Sequence, residues 1–444
     1  MNALLTAIAK EIAALGGRAL LVGGCVRDAL CGVPCQDIDC EVHGVEKQAL
    51  RALLERHGEI DASGEPFGIY TLKSAGIDFA LPRTERRTGS AHTDFEVFPD
   101  AHLSCERAAA RRDFTVNAIM QDALTGEIID PYGGAGDLAR GVLRAVPGGQ
   151  FQEDPLRVLR GAQFAARFGL TPEEETLALM RGMPLDSLSA ARVTAEMKKA
   201  LLGAKQPDVF FRVLREANAL LPWFKEIHDL IGVPQNEKYH PEGDAFEHTM
   251  LVLREAAARR DQAKDPYAFM LAALTHDLGK AVTTKKNEKG EWSSIAHETK
   301  GLPLIDSLLT RLGAGKKEAA YCKSLCALHM RVHTCYYGQA RAERTNVLFD
   351  ACVSPSELAL LCICDARGTG KPRDAADGEE AFIKERLSIY LQAAARPMPT
   401  GDMLLALGVK PGPQMKEMLK KAREKALSGV DALEAARRVA GKKG

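Results

Sequence analysis

At 444 residues the chain can bury more than one hydrophobic core, and two to four domains are expected. Hydrophobic residues make up 46% and charged residues 27%, an ordinary globular balance, and no apolar run approaches the length needed to span a bilayer, which argues against a membrane protein. Lys+Arg and Asp+Glu both number 59, so overall charge points to no polyanionic partner, and a nucleic-acid ligand requires a local basic surface.

In chain order, Leu4, Ile8, Ile12 and Leu15 recur at helical spacing, interrupted by Lys10 and Glu11. That is an amphipathic helix, not a secretion signal, and with eleven cysteines it places the chain in a reducing cytoplasm. Arg18-Ala-Leu-Leu-Val22 reads as a buried strand, Gly23-Gly24 as a turn with no side chains in the way of a phosphate, and 26–30 as a short helix whose N–H groups face an anion beside Arg27. Asp37 and Asp39 flank Ile38 on a second strand over 37–42. Positions i and i+2 of a strand share a face, so the two carboxylates can share hard divalent cations while Ile38 packs beneath them. Cys31, Cys35 and Cys40 lack the paired spacing of structural zinc sites and read as small buried thiols.

Further strands are expected at 69–72, 77–81 and 127–129, giving a mixed α/β head up to about residue 140. Beyond it helical periodicity dominates. A helix over 154–168 stops at Gly169, Ser189 caps the next, and helices follow at 209–220, 246–259, 267–278, 302–312, 319–328, 355–366, 379–395 and 413–426. Cys322, Cys326, Cys362 and Cys364 lie in apolar helical runs and read as buried thiols.

Two motifs sit among these elements. In Arg111-Arg-Asp-Phe-Thr-Val-Asn-Ala118, the apolar residues Phe114, Val116 and Ile119 anchor a polar set of Arg111, Arg112, Asp113 and Asn117, and arginine binds phosphate bidentately. In Glu153-Asp-Pro-Leu-Arg-Val-Leu-Arg160, Asp154 caps a helix with Pro155 in its first position, and Arg157 and Arg160 share a face. In the helical second half, His248, His276-Asp277, His297 and Asp365 appear in order, and mixed His and carboxylate ligands suit a transition metal better than Mg2+ alone.

The segments 21–28, 37–39, 111–118 and 153–160, in this order and spacing, resemble the class II tRNA nucleotidyltransferases, the CCA-adding enzymes related to bacterial poly(A) polymerases. The stretch 83–90 looks like that family's flexible loop, and Ala191-Arg-Val-Thr-Ala-Glu196 like its last head-and-neck motif. The resemblance implies an α+β fold: a polymerase-beta-like nucleotidyltransferase head at 1–140, an all-α neck and body at 141–230, an HD-type helical region at 231–366 and a helical tail at 367–444. It implies that Asp37 and Asp39 hold Mg2+, that Gly24 and Arg27 touch the triphosphate, and that Arg112 and Asp113 hold phosphate and ribose. Asp78 matches a further acidic position, either a third carboxylate or a strand-edge aspartate. Glu153, Asp154 and Arg157 would select CTP and ATP by reading an exocyclic amine beside a ring-nitrogen acceptor. Arg160 would lie a turn further along, and Gln163 stands where some members carry a second arginine.

The histidine series resembles the HD-domain phosphohydrolases, which implies a second metal site from His248, His276, Asp277 and Asp365, holding Ni2+ or another transition metal. His240 would assist it or cap a loop, and His329 and His333 read as surface or helix-end residues. The expected function is template-independent addition of CCA to tRNA from CTP and ATP by a monomer or homodimer, with hydrolysis of 2′,3′-cyclic or 2′-phosphate ends at the HD site. Lys198, Lys199, Arg212 and Arg215 are candidates for the tRNA surface. The rivals are an A-adding enzyme or poly(A) polymerase, an HD phosphohydrolase with a sensing head, and a tRNA-binding chaperone; intact Asp37 and Asp39 weigh against the last two.

Overall fold

The computed structural model describes residues 3–33, 37–87, 95–148 and 150–441, which form two compact units: Met1–Ala200 with Val209–Pro222, and Leu201–Asp208 with Trp223–Gly444. In the first unit the strands are β1 (Arg18–Val22), β2 (Ile38–His43), β3 (Ile60–Asp61), β4 (Ile69–Leu72), β5 (Ile77–Ala80), β6 (Arg83–Arg87), β7 (Phe95–Pro99), β8 (Met120–Asp122) and β9 (Ile128–Ile129). Seven of them form one sheet in the order β3-β4-β5-β2-β1-β8-β9, with β2 and β5 parallel and the other neighbours antiparallel.

Alternation along these strands decides where chemistry can sit. Cys40, Val42, Tyr70, Leu72, Ile77 and Phe79 face the helices Ala3–Ala14 and Lys47–Glu55, meeting Leu5, Ile8, Ile12, Leu50, Leu53 and Leu54 in one core. Each such fully buried side chain contributes about 1.5–3 kcal/mol, which pins the register. The intervening residues Asp39, Glu41 and Asp78 must then emerge on the opposite face, beside a smaller core of Leu20, Val22, Ala108, Ala109, Ala118 and Met120.

Several elements differ from expectation. Residues 83–87 of the stretch read as a flexible loop form a strand, paired with Phe95–Pro99 from Arg83 opposite Pro99 to Arg87 opposite Phe95; residues 88–90 lie outside the described residues. Asp78 is not on a sheet edge, because β5 lies between β4 and β2. Cys31 is exposed rather than buried, since it follows the last turn of the helix Gly24–Leu30; Cys40 is buried as expected, and Cys35 lies outside the described residues.

The first unit continues into the helices Leu156–Phe168, Glu174–Arg181 and Ala190–Gly203. Leu156–Phe168 ends at Gly169 with φ 66°, the left-handed cap its sequence signals. The second unit is helical, and Pro266–Thr275 runs through its centre with every residue from Ala268 to Thr275 buried. The helix expected at 319–328 spans Lys316–Tyr337 and carries His329 and His333 inward, at 0% and 7% exposure, so neither is a surface or helix-end residue. Cys322, Cys326, Cys362 and Cys364 are buried free thiols. Among the described residues no single helix is long and apolar enough to cross a membrane.

Candidate functional site

β1 delivers the chain into Gly23, whose φ of 72° and ψ of −128° only glycine adopts without strain; a Cβ there would stand 2.8 Å from Arg112 Nη1. Beside this turn, the parallel pairing of β2 with β5 sets Asp39 in register with Asp78, and Asp37 directly precedes β2. Thr71 Oγ1 donates to Asp78 Oδ1 at 2.5 Å. Burial first, and then the charges of Asp78 and Asp37, push the Asp39 carboxyl above its ordinary value against the pull of Arg112. Carboxylates that repel one another, offering only oxygen, fit a hard divalent cation such as Mg2+.

Facing them is a second layer of charge. Glu41, one residue pair along β2 from Asp39, is 1% exposed and bonded to His43 Nε2 (3.0 Å) and Arg111 Nη2 (3.4 Å). Burial opposes its ionisation, but His43, Arg112 and Arg111 outweigh it and hold the carboxyl at about 2. Arg112 Nε is buried with no hydrogen-bond partner among the described residues, an orphaned donor that an anionic ligand would satisfy. Asp113 accepts from Arg160 Nε (2.6 Å), Asn117 Nδ2 (2.8 Å) and Phe114 N (2.9 Å), and despite its burial the Arg160 and Asn117 contacts lower its pKa. Arg27 donates to Asn117 Oδ1 (2.5 Å) and Asp28 Oδ1 (2.6 Å) and lies over Phe168, 4.3 Å from the ring centroid. The structure thus brings Arg27 into the same buried network instead of leaving it open at the start of the Gly24–Leu30 helix.

The residues expected to read the base stand at the start of Leu156–Phe168. Asp154 Oδ1 accepts from Leu156 N (3.0 Å), and its Oδ2 pairs with Arg192 Nη2 (2.8 Å). Arg157 is held in one orientation by the carbonyls of Gln150 (2.8 Å) and Arg111 (2.6 Å). Glu153 ends the short 3-10 turn Gln150–Glu153, half-buried. Gln163 is 1% exposed and its Nε2 has no partner among the described residues. Sequence reasoning missed Arg192 as Asp154's partner, although it lies within the quoted 191–196 motif.

In the second unit the expected ligands converge, with two more. His248 Nε2 is 3.0 Å from Asp365 Oδ1 and 3.4 Å from Asp277 Oδ2, and His276 Nε2 is 3.2 Å from Asp277 Oδ2. On the other side of Asp277, His297 Nε2 is 3.0 Å and His329 Nε2 3.7 Å from Oδ1. The other ring nitrogens are pinned: Nδ1 of His276, His297 and His329 to the carbonyls of Ala273, Ser294 and Cys326, that of His248 to Glu242 Oε1. His333 bridges Glu379 (2.7 Å) and Asp365 Oδ2 (2.9 Å), and His240 bonds Glu242 (2.9 Å). Burial and Lys280 disfavour a charged His248, yet Asp365 and Glu242 push it up to about 9. Lys280 Nζ also stands 2.6 Å from Asp277 Oδ2, so the buried Asp277 carboxylate gathers several donor-bearing groups at a point where a cation could be held. A cavity of about 590 Å³, lined by Tyr239, Lys280, Trp292, Tyr337 and Lys371 among others, opens onto Asp277 and Asp365.

Residues 19–144 match the family model described as the poly A polymerase head domain, and 169–231 match the probable RNA and SrmB-binding site of polymerase A. The chain is 37% identical over 424 residues to the multifunctional CCA protein of Stenotrophomonas maltophilia (strain K279a), covering 92% of this chain and 99% of that one. It belongs to the multifunctional CCA protein family. The relative from Xanthomonas euvesicatoria pv. vesicatoria (strain 85-10) is 39% identical over 431 residues, covering 94% and 98% of the two chains. As a member of this family of tRNA nucleotidyltransferases, the chain is an enzyme, and its head has the expected polymerase-beta-like fold. A CCA-adding enzyme in an apo form matches the fold with a TM-score of 0.67 at 20% identity, covering 99% of this chain and 95% of that one. The Thermotoga maritima CCA-adding enzyme, solved with tRNA, matches at a TM-score of 0.66 and 20% identity, covering 99% and 94%.

Proposed function

We propose that the first unit adds CCA to the 3′ end of tRNA, taking CTP and then ATP without a nucleic-acid template. The observation that carries this is the shared sheet face of Asp39 and Asp78, joined by Asp37 and opposed by Arg112. Mg2+ held by Asp37 and Asp39 would supply the charge neutralisation and the lowered hydroxyl pKa that nucleotidyl transfer requires. Arg112 binds triphosphate oxygens at the Gly23-Gly24 turn. Asp113 aligns Arg160 and Asn117, and through Asn117 fixes Arg27 at the start of the helix carrying Gly24. Asp154 accepts from the exocyclic amine of C or A while Arg157 donates to the ring nitrogen, with Glu153 beside them. A guanine carbonyl facing Asp154 leaves an unmatched acceptor pair, costing about 1–3 kcal/mol.

The test offers tRNA ending before CCA with each nucleotide alone and in combination, read at nucleotide resolution. CC from CTP alone, followed by a single A, is the expected product; A-only addition, or tailing of any RNA, refutes the reading.

The second unit we read as a phosphohydrolase acting on 2′,3′-cyclic or 2′-phosphate RNA ends. Its support is the buried convergence of His248, His276, Asp277 and Asp365, the last two of which line a cavity with Lys280 and Lys371 in its wall, cations suited to a phosphate. A ligand set that mixes imidazole nitrogen with carboxylate oxygen favours Ni2+ or a similar ion, which would supply Lewis acidity toward a phosphoryl oxygen. Nickel-dependent phosphate release from a 2′-phosphate end is expected to vanish in His276→Ala, and activity indifferent to that change removes the assignment.

A further inference from the structure

We infer that the rim of the second unit's cavity is a base-stacking platform, formed by Tyr239, Trp292 and Tyr337, which favours a nucleoside carrying a 2′-phosphate over phosphate esters that lack a base. The inference rests on the reading of this unit as a phosphohydrolase and adds the residues that hold the base of its substrate. Among the described residues of the second unit, Tyr239, Trp292 and Tyr337 are the exposed aromatic side chains, at 48%, 37% and 66% exposure, and all three line the same cavity. A single exposed aromatic residue is ordinary, but three gathered on one concave site suit a flat, apolar ligand group.

The lining of this cavity changes character with depth. Asp277, Lys280 and Asp365 line it and are buried, so the groups suited to a phosphate lie at its floor, while the three rings lie at its rim. Its volume of about 590 Å³ falls inside the roughly 300–1,000 Å³ of sites that enclose a drug-sized ligand, which leaves room beyond a phosphate for a ribose and a base. A nucleoside 2′-phosphate has the matching polarity, an anion at one end and a flat ring system at the other. Aromatic side chains hold bases through their π-faces and tolerate any of the four.

Each ring is presented by a separate, internally fixed element. Trp292 lies on a two-stranded hairpin, opposite Lys286. Asn287 Oδ1 closes the turn of that hairpin by accepting from Lys289 N (2.9 Å) and Glu291 N (3.0 Å), and Thr284 Oγ1 meets Ser294 Oγ across its open end at 2.7 Å. Tyr239 sits in a turn whose backbone N–H donates to Asn236 O at 2.9 Å, and Tyr337 ends the helix Lys316–Tyr337. Rings positioned before the ligand arrives lose little freedom when a base stacks on them. Lys371, another lining residue, has its Nζ 5.7 Å from the Tyr239 centroid, so the platform also carries positive charge suited to a nucleotide. The competing reading is that the three rings only border the cavity and take no part in binding.

The chain has two tryptophans, Trp223 and Trp292, so Trp223→Phe leaves Trp292 as its only indole fluorophore. The full chain with this change, metal-free and again with Ni2+, is titrated with adenosine 2′-phosphate and with ribose 2-phosphate; adenosine is the residue with which the proposed product of the first unit ends. Saturable quenching of Trp292 emission by the nucleotide, and none by the sugar phosphate, is the expected result. In phosphate release by the Ni2+-loaded enzyme, Trp292→Ala and Tyr337→Ala are each expected to raise KM for the nucleotide about 5- to 150-fold, the range for losing one stacked ring, with kcat close to the parent's. Trp292→Phe, which keeps a π-face, is expected to stay near the parent. A trinucleotide ending in the same 2′-phosphate is the second probe: tighter binding than the free nucleotide assigns the platform to an RNA end, equal binding to a free nucleotide, and either supports the site. Trp292 emission that ignores both probes in both states, or equal KM for adenosine 2′-phosphate and ribose 2-phosphate, overturns the proposal. Should no substrate release phosphate, the hydrolase reading fails, and the fluorescence titration still decides whether a base binds here.

Discussion

Glu41 is a buried acid two residues along the same strand face from a proposed metal ligand, and its value lies in what it holds down. Its oxygens meet His43 and Arg111, and its charge offsets Arg112, whose guanidinium closes over Gly23. A carboxyl depressed from 4.5 to about 2 is worth on the order of 3 kcal/mol to the folded head, at 1.36 kcal/mol per pH unit. Since the folded value lies below the unfolded one, that stability is fully present above the unfolded pKa and drains away as pH falls toward about 2. Glu41→Gln is therefore expected to lower the urea midpoint of the first unit at neutral pH, because buried cations lose their counter-charge. Across the acid range the variant should also lose less stability than the parent, and equal acid sensitivity in the two proteins would show that Glu41 does not carry this linkage. In the sequence this residue was invisible. The i, i+2 rule that singled out Asp37 and Asp39 extends one step to Glu41, but nothing in the local pattern says that Arg111, 70 positions away, will cover it.

At the scale of elements, the joint that matters is between the 111–118 motif and the helix Leu156–Phe168. Phe114 is fully buried and meets Phe151 and Phe164 edge-on, at centroid distances of 5.5 and 5.8 Å. Gly161 permits this approach, because a Cβ there would sit 2.9 Å from the Phe114 ring. Arg27 and Arg160 also lie over the Phe164 ring, 4.9 and 5.0 Å from its centroid, so the aromatic cluster and the Asp113 network are built on the same support. Phe114→Ala is expected to cost about 3–5 kcal/mol and to lower the melting temperature of the first unit by roughly 6–20 °C, with CCA addition falling further than the population of folded protein explains. Calorimetry and turnover on the same samples check this, and full specific activity at permissive temperature would mean that the joint does not position the site. Long elements of this kind were legible: β1 as an unbroken apolar run, Leu156–Phe168 from its acidic start to Gly169. The β6–β7 hairpin was not, because Arg-Thr-Glu-Arg-Arg has no apolar alternation to announce a strand. Nor was the Asp154–Arg192 pair, which joins two helices 38 residues apart.

Across the whole molecule, the two sets of functional groups belong to separate cores, one drawn from residues between Gly23 and Arg192 and the other between Glu242 and Glu379. The order His248, His276-Asp277, Asp365 could be read from sequence because spacing survives folding. His329 and His333 could not, since each polar residue breaks the apolar periodicity that would have carried the helix Lys316–Tyr337 past Leu328. They are inward because they meet the buried carboxylates Asp277, Asp365 and Glu379, in a polar cluster whose members arrive from separate elements. An ion bound there clamps those elements and stabilises only the folded state. At a hundredfold excess over its dissociation constant the gain is about 2.7 kcal/mol, which for a unit of this size is roughly 5–11 °C. Ni2+ should therefore raise the unfolding transition of the second unit, and a chelator should reverse the rise. His276→Ala should abolish the response, while the transition of the first unit, whose oxygen ligands hold Ni2+ less firmly, moves little. Differential scanning calorimetry with and without Ni2+ reads both transitions, and a nickel response that persists undiminished in His276→Ala would mean that the ion binds elsewhere.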